Sequence, residues 1–329
     1  MSKVTVIIPV YNCEKYIAKC AHSLFEKTLD DIEYIFVNDC TKDNSVEALE
    51  EVVSYYPDRK VTIINNDINK GPGPSRNAGI QAANGEYIIF CDSDDFVECD
   101  AYEKMYQCAK QENADVVACG IGYYDEKDEC LFIEKYNTNQ ITKDSLYDLE
   151  RLEEGIHSSS CNKMVKREFL MKHSIRFSDD VIMWDDLYVT IRYRFFANKI
   201  CVLDKPYYHY IMHPSSITHV NVSKQTESKI RCAGLIDDYF SSVGKDADLE
   251  RSLMFLKFIS KKALYKKETL KRWMAIFPES HRYIWSFRCF YGKKRALGYL
   301  LVAYLGVVGW HIIGFLGKIS GTFKRVYKS

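Results

Sequence analysis

Val4-Thr5-Val6-Ile7-Ile8-Pro9-Val10 is an almost continuous apolar run, ended by the polar turn Tyr11-Asn12. A run without polar alternation suits a strand covered on both faces, as in the middle of a parallel sheet. The stretches after it keep that frame. From Glu14 to Lys27, helical spacing puts Ile17, Cys20, Ala21, Leu24 and Phe25 on one face. Tyr34-Ile35-Phe36-Val37 is a second buried strand, ending at Asn38-Asp39. Thr41, Asp43 and Ser45 turn the chain into a helix from Val46 to Tyr55, and Val61-Thr62-Ile63-Ile64 is a third strand running into Asn65-Asn66. Strand and helix alternate, which predicts an α/β fold: a doubly wound, mostly parallel sheet with helices on both faces. Ligands of such sheets gather at the carboxyl ends of the strands.

Asn69-Lys70-Gly71-Pro72-Gly73-Pro74 is a loop by composition. The helix expected from Ser75 to Ala83 carries Arg76 in its first turn. A cation there opposes the helix dipole, so Arg76 either faces an anion or stands in solvent. The strand Glu86-Tyr87-Ile88-Ile89-Phe90 then delivers Cys91-Asp92-Ser93-Asp94-Asp95. Three carboxylates where a buried strand leaves the sheet are costly unless a cation or hydrogen-bond donors compensate. Oxygen ligands suit a hard divalent ion, Mn2+ or Mg2+, that also holds phosphate oxygens. The same residues also read as the cap of a helix from Phe96 to Gln111.

Ala114 to Tyr123 contains a further strand, and residues 125–155 are a polar, acidic excursion. Cys161 to Val165 reads as a short strand before a helix from Arg167 to His173. A second acidic stretch, from Asp179 to Asp186, opens a helix from Leu187 to Ala197. Helix dipoles stabilise carboxylates there by up to about 1 kcal/mol, so this cluster serves either structure or chemistry. Ile200-Cys201-Val202-Leu203 is a strand, followed by a stretch carrying His209 and His213.

From about residue 220 the pattern turns to helices alone, expected at Lys224–Val243 and Asp248–Lys267. The organisation expected is therefore a catalytic domain at 1–220, a helical appendage at 221–290 and a tail at 291–329. Ala296 to Gly317 contains no Asp, Glu, Lys or Arg, while basic residues flank both ends: Arg288, Lys293, Lys294 and Arg295 before, Lys318, Lys324, Arg325 and Lys328 after. A single span would leave one basic flank on the wrong side. Two such flanks fit contact of 296–317 with one anionic leaflet; the competing reading is a helix packed on the appendage.

Bulk composition excludes several classes. Apolar residues make up 47% and charged residues 27%, as in a folded protein with a sizeable core. Formal net charge is +0, which gives no global field for nucleic acid. The 12 cysteines include no Cys-x-x-Cys pair and read as small hydrophobes in a reducing compartment. No basic-then-apolar leader precedes the first strand, so no signal peptide is expected.

Val6-Ile7-Ile8-Pro9-Val10-Tyr11-Asn12, Asn38-Asp39-Cys40-Thr41-Lys42-Asp43-Asn44-Ser45, Arg76-Asn77-Ala78-Gly79, Gly85-Glu86-Tyr87-Ile88 and Asp92-Ser93-Asp94-Asp95 stand in one order. Together, over roughly residues 3–218, they resemble the family 2 glycosyltransferases, inverting enzymes of the GT-A fold. Each piece is weak by itself; five in sequence are specific. The resemblance implies transfer of a sugar from a UDP-sugar to a hydroxyl of a glycan or lipid-linked saccharide. It also implies work in cell-surface polysaccharide synthesis, at the cytoplasmic face of the membrane. By position, Asp39 would accept a hydrogen bond from uracil, with Pro9, Val10 and Tyr11 lining the base pocket. Arg76, Asp92 and Ser93 would help bind the nucleotide sugar, and Asp94, Asp92 and His213 would hold Mn2+ or Mg2+, with His209 the second candidate. Asp186 matches the general base, and Asp185 stands where the family usually has Glu. Asn38, Cys40 and Lys27 depart from the common Asp, Gly and Gln.

Other classes fit less well. A nucleotidyltransferase would carry a Gly-rich, basic loop after the first strand, where this chain has Tyr11-Asn12-Cys13-Glu14. A non-catalytic sugar-nucleotide-binding protein would need no base. A dehydrogenase would show Gly-x-Gly-x-x-Gly there.

Overall fold

A computed structural model describes residues 1–134, 158–214 and 222–320. The chain divides into two compact units, one within residues 1–220 and the other from residue 221 onward.

The first unit is built on a nine-stranded sheet of order β3-β2-β1-β4-β8-β6-β9-β5, with β7 paired to β6. Its parallel half is β1 (Val4–Val10), β2 (Ile32–Asn38), β3 (Lys60–Asn65) and β4 (Tyr87–Phe90). The crossovers are α1 (Ile17–Phe25), α2 (Ser45–Ser54) and α3 (Pro72–Ala82). In β1, Val4, Val6, Ile7, Ile8 and Val10 are all fully buried, as its unalternating sequence requires. The other half is mixed. β8 (Lys163–Lys166) runs antiparallel to both β4 and β6 (Val116–Tyr124), while β9 (Ile200–Ile211) is parallel to β6. α4 (Ala101–Glu112), α5 (Arg167–Lys172) and α6 (Asp185–Phe196) complete the unit. The α/β class with a doubly wound, mostly parallel sheet holds.

Four local expectations need correction. Phe96-Val97 does not begin a helix: it is strand β5, paired antiparallel with His209 and Tyr208 of β9. That strand is longer than its apolar start suggested, because Tyr208 to Ile211 continue pairing with β6 beyond a register shift at Gly120. α3 begins at Pro72 rather than Ser75, since proline is tolerated in a first turn whose N–H groups lack helical partners. Part of the acidic excursion is β7 (Cys130–Glu134), paired back on β6; residues 135–157 lie outside the described residues.

The second unit contains α7 (Val222–Val243), α8 (Ala247–Ser260), α9 (Leu270–Ala275), α10 (Arg288–Leu305) and α11 (Val307–Ser320). Phe258, Trp273, Phe287, Tyr299 and Val302 form its core. The apolar tail is thus two helices, and one side of the pair is built into this core. Among the described residues, no helix is long and apolar enough to cross a membrane.

Candidate active site

The parallel register decides where the polar turns meet. Val10 pairs with Asn38, Asn38 with Asn65, and Ile7 with Phe90. The turns after β1, β2 and β4 therefore open at one edge of the sheet, with the β4 turn set back along β1. The first two turns are stitched together. Asn12 N donates to Thr41 Oγ1 at 2.8 Å, Cys13 N to Ser45 Oγ at 3.0 Å, and Glu14 N to Asp43 Oδ2 at 3.0 Å. Asn12 (φ 50°) and Cys40 (φ 57°) adopt the left-handed conformation there. Pro9, Val10 and Tyr11 stand at this edge, with Val10 buried and Tyr11 exposed. Asp39 is buried and already engaged: Oδ1 accepts from Asn66 Nδ2 and Lys70 N, both at 2.9 Å, and Oδ2 from Gly71 N at 2.7 Å. A carboxylate has about four lone-pair sites, so Asp39 can hold this loop and still accept another donor.

The three carboxylates after β4 each take different partners. Asp92 Oδ1 accepts from Arg76 Nη2 at 2.7 Å. Asp94 Oδ2 lies 2.8 Å from His213 Nε2, and the His213 ring stacks on Tyr16. Asp95 is buried and accepts from Tyr208 Oη and from Ile211 N, the latter at 2.9 Å. Burial first, then Asp94 and Asp92, pushes the Asp95 carboxyl well above the usual range. Asp95 therefore ties the acidic turn to β9 and so sets the approach of His213. Ser93 is buried in this turn, near the Cys13 side chain. The expected metal set is only partly assembled. Asp94 and His213 meet, Asp92 is drawn to Arg76, and among the described residues no group of three or more His, Cys, Asp and Glu is arranged around a common point.

Arg76 joins the two acidic clusters. It is 4% exposed, and its Nη1 donates to Asp185 Oδ2 at 2.8 Å while Nη2 holds Asp92. The anion expected opposite Arg76, which stands in the second turn of α3, is thus a pair of the chain's own carboxylates. Asp185 and Asp186 occupy the first turn of α6, behind Trp184 at φ 68°. A bulky residue in that conformation costs on the order of 1–2 kcal/mol, and the strain falls directly before the two carboxylates. Asp186 Oδ1 accepts from Ser160 Oγ at 2.5 Å. Burial, then the neighbouring Asp186, pushes the Asp185 carboxyl up to about 7. Burial also raises Asp186, against the pull of Arg76.

Sequence reading missed Ser160, Tyr208 and Lys163 as parts of this site. Lys163 is buried beside Asp186; its Nζ donates to Asn162 Oδ1 at 2.8 Å, and burial lowers it to about 7. A buried lysine in a short strand was a visible signal. A serine after a polar excursion gave none.

A family model described as "Glycosyl transferase family 2" matches residues 5–174, just over half the chain. The chain belongs to glycosyl transferase family 2. Its relatives include the putative glycosyltransferase EpsH of Bacillus subtilis, 33% identical over 68% of this chain and 65% of that protein. Glycosyltransferase GlyG of Streptococcus pneumoniae is 28% identical over 80% of this chain and 88% of that one. Among solved structures, S. aureus TarS 1-349 in complex with UDP-GlcNAc superposes with a TM-score of 0.74, covering 98% of this chain and 93% of that one. At 19% identity this last likeness speaks for the fold alone. The matched segment of the family 2 model holds the Asp39 turn, Arg76 and the Asp92–Asp95 turn, and stops short of Asp185, Asp186 and His213.

Proposed function

We propose that this family 2 glycosyltransferase moves a sugar from a UDP-sugar to a hydroxyl of a glycan or lipid-linked saccharide, with inversion at the anomeric carbon. The observation that carries the reading is Arg76, which holds one carboxylate of the β4 turn and one of α6 with two hydrogen bonds. Leaving-group chemistry and base chemistry need separate acidic centres held in fixed relation. The uridine would rest on Pro9, Val10 and Tyr11 with Asp39 as acceptor, and Asp92 and Ser93 would face the ribose.

Asp94 and His213, whose Oδ2 and Nε2 meet at 2.8 Å, would hold Mn2+ or Mg2+ through a carboxylate oxygen and an imidazole nitrogen. Phosphate oxygens and water would complete the shell, as is usual for these ions. Bound there, the ion would supply positive charge against the departing diphosphate. Asp186 takes the proton as the acceptor oxygen attacks C1 and the bond from C1 to the diphosphate oxygen breaks. A carboxyl raised by burial suits this task, since a base works best with its pKa near the working pH. Ser160 orients Asp186, and Asp185 anchors Arg76.

The UDP-GlcNAc complex of TarS supports a UDP-sugar donor, and the name of a further relative, the poly(ribitol-phosphate) beta-glucosyltransferase of Bacillus spizizenii, supports work on a surface polymer. Such synthesis on lipid carriers places the enzyme at the cytoplasmic face of the membrane, in contact through 296–317. The reading is tested by thermal unfolding with Mn2+ and UDP-Glc, UDP-Gal, UDP-GlcNAc or UDP-GalNAc, together with UDP release. A bound donor raises the melting temperature by mass action. Neither protection nor UDP release with any of the four would refute the UDP-sugar reading.

A further inference from the structure

We propose that the hairpin of α10 and α11 enters an anionic lipid surface tip first, with Lys293, Lys294 and Arg295 as a collar at headgroup level. This rests on the membrane-face reading above and gives that contact a defined geometry. The two helices reverse at Gly306 (φ 55°) and pack without a gap: a Cβ on Gly309 would fall 2.1 Å from the Leu301 carbonyl oxygen. One side of the pair is committed, because Ala296, Tyr299, Val302 and Ile313 lie in the core of the second unit. The other side and the tip face solvent: Tyr304 is 70% exposed, Val308 63% and Phe315 66%, with Leu305, Val307 and Ile312 also exposed. Apolar residues on both sides of a turn, with no charged residue from 296 to 317, are an unusual surface to leave in water.

Length and charge select the occupant. Over its described residues α11 runs for 14 residues, about 21 Å, long enough for one leaflet and short of the roughly 30 Å hydrocarbon core. Ten residues of helix separate Arg295 from Leu305, so the tip reaches about 15 Å beyond the collar. That matches the depth from headgroups to the middle of the bilayer. At the reversal Gly306 N donates to Val302 O at 2.8 Å and Trp310 N to Gly306 O at 3.1 Å, which fixes the two helices at the turn. Trp285, half exposed, is a side chain of interfacial type that lies a few residues before the collar. Lys293, Lys294 and Arg295 are exposed and no acidic residue interrupts them, so the partner surface is negative. A second copy of this chain would bring an identical positive collar.

The test is flotation of the full chain with phosphatidylcholine vesicles, with and without phosphatidylglycerol, over a salt series. Val308→Glu at the tip should weaken binding at least about tenfold on both vesicle types, a charge in the apolar layer being costly. Lys293→Glu with Lys294→Glu should weaken binding only to the anionic vesicles, by roughly fivefold or more per site, and flatten the salt dependence. All variants should keep the wild-type melting temperature and donor hydrolysis. If the wild type binds and Val308→Glu binds equally, the tip geometry is refuted while membrane contact stands. If the wild type floats with neither vesicle at low salt, both fail. A wild-type dimer in solution that Val308→Glu dissociates would assign the face to a second copy and overturn the proposal.

Discussion

Asp185→Asn should stabilise the protein at pH 8, and by clearly less at pH 5. The Asp185 carboxyl ionises near 4 in the unfolded chain and near 7 in the fold, because it is buried and faces Asp186. Between those values the folded state keeps a proton that the unfolded state has lost, so this group's contribution to stability falls as pH rises from about 4 to 7. The separation is about three pH units at 1.36 kcal/mol each, an upper limit of about 4 kcal/mol above pH 7. Asp186 takes up part of the shared proton, so about half of that is expected from Asp185 alone. Asparagine is isosteric and its Oδ1 still accepts from Arg76 Nη1, so the variant removes the charge and keeps the bond. For a unit of this size 1 kcal/mol is worth about 2–4 °C, so the melting temperature should rise by about 4–8 °C at pH 8. Differential scanning calorimetry at the two pH values measures it. An equal shift at both, or a loss at pH 8, would refute the argument that Asp185 is held charged against its surroundings.

Arg76→Met should cost about 3–5 kcal/mol, the usual result of leaving buried carboxylates without their cation, and chemical denaturation at pH 7 would show it. Part of that loss should return at pH 5, where the released carboxyls protonate; a loss independent of pH would count against the ion pairs. Asp94→Ala should remove Mn2+ protection against thermal unfolding in the presence of UDP while keeping the fold, and unchanged Mn2+ dependence would exclude Asp94 as a ligand. Tyr208→Phe should weaken the anchoring of the acidic turn through Asp95 by about 1–3 kcal/mol, the cost of an orphaned buried acceptor, read by denaturant melts; no change would show that Ile211 N alone holds Asp95.

The fold was legible where one physical signal dominated. β1, β2 and β4 are buried on both faces, and their sequences carry almost nothing polar to argue otherwise. β5 was not legible: two residues, Phe96-Val97, become a strand only because β9 lies beside them. The acidic turns were legible as polar residues ending buried runs, and the register of the parallel strands explains why they meet. Their partners were not. Arg76 reaches Asp185 across 109 positions, and Asp95 reaches Tyr208 across 113. Nothing local in a sequence marks such pairs. The tail was half legible: its apolar character and basic flank were plain, but the reversal at Gly306 and the burial of one side depend on packing.

The account turns on Asp186 as the group that takes the acceptor proton. Steady-state transfer by wild type and Asp186→Asn, with the donor selected by the UDP-sugar screen, tests this most directly. Asparagine should leave the KM for the donor within about twofold and lower kcat by roughly 10²- to 10⁴-fold, the size of a lost general base. An Asp186→Asn enzyme with wild-type kcat would contradict the central claim.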